Sequence, residues 1–213
     1  MASLGRDIIK GLAIAMGAIL LFFLVIGLFF YGLIGGFDRT YTPSEMVEAF
    51  DDHKQEINEL ISYFNNMVPQ GKFVEIEFDD DDELTRFGFT PPCDTSQKWF
   101  LDWDVRVESS QMDSLMDCLG WDLNQVRELK KILDAADCIQ IANHADGTHI
   151  GFKRSGMQMY SYYIFHPPVS DSLRTVYESY HTLLFANDTL AVEWAGGAIG
   201  LQTWPEKLWG DLK

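Results

Sequence analysis

Apolar residues follow three different spacings along the chain, and each spacing predicts a different kind of element. The first is unbroken: residues 12–34 carry no charge and are dominated by Leu, Ile, Phe, Val and Gly. As a helix this stretch would reach about 34 Å, against a hydrocarbon core of roughly 30 Å. A helix satisfies its own backbone hydrogen bonds, which is what lipid demands. A cleaved secretory signal would have an apolar stretch of about 7–15 residues and a small-residue cleavage site. Here the stretch is longer, and Leu33-Ile34-Gly35-Gly36-Phe37 is a poor cleavage match. No cysteine stands nearby for lipid attachment. The reading is a single uncleaved membrane helix over residues 11–36, partnered by the bilayer itself. Arg6 and Lys10 precede it, while Arg39 follows beside Asp38. That bias places a short segment, 1–10, in the cytoplasm and a domain, 38–213, on the periplasmic or extracellular side. The pairs Gly32/Gly36 and Ala13/Gly17 have the small-residue spacing that lets membrane helices approach.

The second spacing is helical. Thr42, Pro43 and Glu45 form a capping-box start, and Met46, Val47, Phe50, Ile57, Leu60, Ile61, Phe64, Met67 and Val68 then recur on one side. Pro69 and Gly71 end this helix. A short helix over 111–119 stops at Gly120. Another, capped by Asp122 with Gln125, buries Leu123, Val126, Leu129, Ile132, Leu133 and Ala136. Leu173, Val176, Tyr177 and Tyr180 fit a further short helix.

The third spacing alternates. Val74, Ile76 and Phe78 exchange with Glu75 and Glu77, a half-buried strand. Trp99, Leu101, Trp103, Val105 and Val107 form a second alternating set, all expected on one apolar face. Residues 79–83, all acidic, read as a solvated turn, and Thr90 to Asp94 as loop. Strands at 139–142, 149–153 and 157–165 suggest a meander with tight turns at Asp146-Gly147 and Ser155-Gly156. A hairpin across Asn187-Asp188 and a last strand at 198–203 complete the set, although the helix before the hairpin could equally run on through Leu183 and Leu184. The fold class is α+β: an antiparallel sheet of six to eight strands with helices on one face, preceded by the membrane helix.

Charge narrows the partners. The net charge is −16, and the first 36 residues carry +1, so the domain holds −17. It should repel nucleic acid and anionic headgroups, because phosphate binding relies on Lys and Arg. Basic proteins or divalent cations suit it better. Cys93, Cys118 and Cys138 are odd in number and lack a C-x-x-C pair, which speaks against a zinc ribbon or a disulfide framework. Cys138 opens an apolar run and reads as buried; one disulfide, involving Cys93, stays open.

Candidate chemistry is sparse. His144, Asp146 and His149 surround a tight turn and form the candidate metal set, with His166 or His181 as further help. The acidic run lacks the spaced ligands and glycine of a calcium loop. Asp102 and Asp104 alternate onto one face and would be a glycosidase-type pair. No serine elbow, phosphate loop, dinucleotide fingerprint or zincin helix occurs, and no cofactor is implied. Six tryptophans would offer sugars or peptides a platform if several were exposed on one face. Trp204 and Trp209, near the C-terminus, are the candidate partner-binding residues. The sequence therefore favours a tethered, non-catalytic binding domain for an envelope protein or glycan. A metal-assisted hydrolase and a structural or immunity-type membrane protein are the alternatives.

Overall fold

Where the helices of this chain start and stop is set by how their end groups find partners. The computed structural model describes residues 2–33, 37–90, 99–195 and 203–212. Helix α1 (Ala2–Leu33) takes in nearly all of the segment read as 1–10, and residues 34–36 of the expected span lie outside the described residues. Its stretch Ala15–Gly32 is long and apolar enough to cross a membrane, and none of it is buried. By length and composition it fits an anchor or a signal sequence. Gly36, one of the small-residue pair, lies outside the described residues, as do Cys93 and positions 198–202 of the expected last strand.

Helix α2 (Pro43–Asp52) begins with the predicted capping box, Glu45 N–H donating to Thr42 Oγ1 at 3.2 Å and Thr42 N–H to the Glu45 carboxylate at 2.8 Å. The predicted single helix divides at His53, and α3 (Lys54–Met67) follows. Both the backbone N–H and Nδ1 of His53 reach the Ala49 carbonyl, at 3.2 and 3.1 Å. A side chain inserted into the hydrogen-bond ladder is a known cause of such bends. Helix α4 (Ser110–Leu119) is capped by Ser109 and ends at Gly120, whose φ of 69° is the left-handed conformation that glycine adopts without a Cβ penalty. Helix α5 (Leu123–Ala135) starts from the Asp122/Gln125 capping box.

Among the described residues eight strands form one sheet: β1 (Val74–Phe78), β2 (Glu83–Phe89), β3 (Phe100–Arg106), β4 (Gln140–His144), β5 (Gly147–Ser155), β6 (Gln158–Phe165), β7 (Leu183–Phe185) and β8 (Leu190–Ala195). Their order is β3-β2-β1-β4-β5-β6-β8-β7, and every pairing is antiparallel. Leu183 and Leu184 fall in a strand, not in a prolonged helix. The main core lies between the sheet and helices α2–α5, with Phe64, Met46, Leu60, Ile76, Phe87 and Leu129 fully enclosed. Burying each such side chain stabilises the fold by about 1.5–3 kcal/mol. Tyr162 of β6 donates its hydroxyl to the Met46 carbonyl at 3.1 Å, and Trp121 Nε1 donates to the Met67 carbonyl at 2.8 Å, tying this helical layer together and to the sheet.

Two expectations need correction. Helices do not all sit on one face: α6 (Asp171–Ser179) lies against the other side, where Tyr177 packs with Phe165, Leu183 and Ala191. Strand β2 was not predicted, because Leu84 and Phe87, both in the core, break a period of two. The cause is a bulge in its pairing with β1, where Phe78 faces Leu84 but Glu77 faces Arg86, leaving Thr85 as an extra residue. Opposite Thr85 stands Asp104, with φ of +53°. The irregularity crosses both strands, so the faces exchange there. Val105 and Val107 are buried, whereas Trp99, Leu101 and Trp103 emerge on the far side of the sheet, exposed by 38, 39 and 46%.

Candidate functional site

Strand register builds the far face of the sheet into two rows of facing residues. One runs Leu101, Gly88, Glu75, Ala142, His149, Tyr163, Ala191, Phe185. Beside it runs Trp103, Arg86, Glu77, Gln140, Gly151, Ser161, Glu193, Leu183. The small residues Ala142, Gly151, Ser161 and Ala191 make room in the middle, where Met159 and Gln140 pack over Gly151, while acidic, guanidinium, amide and imidazole side chains stand around them.

Ion pairs organise the β1 side. Arg154 holds both Glu77 oxygens at 2.6 Å, and Arg86 holds Glu75, which also accepts from the Gln140 amide. Glu77 is only 1% exposed. Burial pushes its carboxyl above the ordinary carboxylate range, and the guanidinium groups of Arg154 and Arg86 offset this only in part. Within the same row three buried polar atoms have no hydrogen-bond partner: Arg86 Nε, Gln140 Oε1 and Ser161 Oγ. Arg86 Nε stands 3.9 Å from Glu77, beyond hydrogen-bond reach. Among the described residues the other two such atoms are the indole nitrogens of Trp194 and Trp204. At the β3 end an open cleft of about 510 Å³ is lined by Glu77, Asp79, Thr85, Trp103, Arg154 and Met157, among others.

The predicted metal residues also lie on this side, but they do not face one point. Both Asp146 oxygens accept tyrosine hydroxyls, from Tyr163 at 2.6 Å and Tyr177 at 2.9 Å. His149 Nε2 lies 2.9 Å from a Glu193 oxygen, and the His144 and His149 ring centres are 6.1 Å apart. Among the described residues no group of three or more His, Cys, Asp and Glu could hold a metal ion. His181 stacks on Trp209 with ring centres 3.8 Å apart and is not directed to the trio. Asp102 bonds Gln111 of α4, and the left-handed Asp104 leaves the alternation that would have paired them.

The C-terminal tryptophans fold back. Trp204 is 1% exposed, packs against Tyr160 and Trp194, and its backbone N–H donates to the His181 carbonyl at 3.0 Å. Trp209 donates Nε1 to the Trp204 carbonyl at 2.7 Å. Trp204 therefore presents no surface to a partner. Buried Cys138 has its thiol pushed up to about 12, chiefly by burial, and is free, as is exposed Cys118.

Arg86, Gln140, Ser161 and Glu193 escaped the sequence reading. Their only signal was a polar residue inside an otherwise apolar strand, and without register nothing aligned them. Comparison with known proteins gave no match to a family model, a curated protein or a solved structure.

Proposed function

We propose that this chain is a membrane-tethered, non-catalytic binding protein whose recognition surface is the sheet face opposite α2–α5. In this reading α1 stays in the bilayer with its N-terminus cytoplasmic, and the acidic domain meets an envelope or external partner. The observation that carries it is the row of buried polar atoms without partners, Arg86 Nε, Gln140 Oε1 and Ser161 Oγ. Each such atom costs roughly 1–3 kcal/mol, and native folds keep few of them. Stability given up in one place is the usual mark of a surface kept for function.

The test is a stability–binding trade. Ser161→Ala removes a hydroxyl without leaving a large cavity, so urea unfolding should show a gain of about 1 kcal/mol. A photocrosslinking residue at Leu101, in full-length protein in its own membranes, should give an adduct that is absent from a probe at Glu59, exposed on α3. Ser161→Ala should weaken that adduct. A less stable Ser161→Ala protein, together with equal labelling from both probes, would refute the assignment.

A further inference from the structure

We infer that the cleft beside Trp103 is a saccharide site, taking a neutral or amino-sugar saccharide that lies across Trp103 and the Glu77–Arg154 pair; this rests on the sheet face being the recognition surface. Trp103 forms one wall and is 46% exposed, although it lies on a paired strand. The Arg86 guanidinium carbon sits 5.6 Å from its ring centre, which fixes the plane of the indole. The doubled irregularity at Thr85 and Asp104 is what brings Trp103 to this face; with regular alternation it would share a face with Val105. Strand bulges recur beside binding sites because they re-aim side chains in this way.

Below the indole, the Glu77 carboxylate is locked by two parallel bonds from Arg154, which leaves a rigid, planar, polar floor. A pyranose matches such a site. Its C–H face lies on an aromatic ring, and its hydroxyls both donate and accept, as a lining of Asp79, Thr85 and Arg154 requires. An apolar ligand would bury the Glu77–Arg154 pair against nothing polar. A polyanion meets a domain of net charge −17. A cationic peptide would have to compete with Arg154 and Arg86 for carboxylates they already hold.

Full-length protein in nanodiscs, titrated calorimetrically with cellohexaose, xylohexaose and chitohexaose, tests this. At least one should bind, with a shift in tryptophan emission. Trp103→Ala should weaken binding at least about tenfold, Trp103→Phe should recover part of it, and Lys131→Ala on the helical side should leave it unchanged. Circular dichroism would confirm that each variant is folded. No binding of any of the three at millimolar concentration, or binding indifferent to Trp103→Ala, overturns the inference. A lysine-rich peptide run in parallel separates the two readings: Trp103-dependent peptide binding with no sugar binding ends the saccharide site and keeps the recognition face. Loss of the Leu101 adduct as well ends both.

Discussion

His144 illustrates how much of this face is set by single residues and their immediate surroundings. Rings of Phe73, Tyr163 and His149 lie 5.0, 5.7 and 6.1 Å from its own. Desolvation by these neighbours, with His149 adding to it, holds the imidazole below its ordinary value. Asp146 is shifted downward too: burial opposes ionisation, but the hydroxyls of Tyr163 and Tyr177 outweigh it. Both groups therefore bind a proton less readily in the fold than in the unfolded chain. For His144 the related stability is complete above about pH 6.5 and is lost as pH falls toward its depressed value. Asp146 repeats this below the ordinary carboxylate range. Thermal melts of the wild type should fall steadily in midpoint from about pH 7 to pH 5, and His144→Gln should flatten that slope. An unchanged slope would mean that another group titrates. The sequence supplied the trio of His144, Asp146 and His149. It did not supply their partners, because Tyr163, Tyr177 and Glu193 come from elements far along the chain.

Among the elements, β3 shows where pattern reading fails and why. Its alternation from Trp99 to Val107 looked regular, yet one left-handed residue inverts it midway. A positive φ costs an ordinary L-residue roughly 1–2 kcal/mol, and Asp bears this better than a β-branched residue. Asp104→Gly should hold or raise stability by up to about 1 kcal/mol, whereas Asp104→Val should lower it by at least about that amount. Chemical denaturation of the pair decides this, and equal effects would show that the strand does not depend on the turn. The helices were far more legible. Caps at Thr42 and Asp122 act through residues three positions away, so sequence spacing already contains their geometry. The bend at His53 was not legible, since it arises from one ring reaching back to Ala49.

At the scale of the whole molecule, the chain closes on itself through its C-terminal tail. Ser44, at the start of α2, donates its N–H to the Asp211 carboxylate at 2.9 Å, and Trp204 fills a pocket against β6 and β8. Trp204→Ala should cost about 3–5 kcal/mol, as truncations of enclosed aromatics do, with no specific effect on ligand capture by the sheet face. Guanidinium unfolding combined with the Leu101 crosslink measures both. Selective loss of capture at unchanged stability would return Trp204 to a partner-binding role.

The sequence carried only local and compositional information. It specified a long apolar helix near the N-terminus, an acidic α+β domain, the capped helices and the β4–β6 meander, all of which follow from neighbours, spacing or total charge. The tertiary structure alone decided which side each tryptophan faces, that α6 lies opposite the other helices, and that Arg86, Glu77, Gln140 and Ser161 share one row. Those outcomes depend on strand register, where one extra residue moves every later side chain to the other face. Register is fixed by cross-strand pairing between distant segments, and a linear pattern holds no record of it.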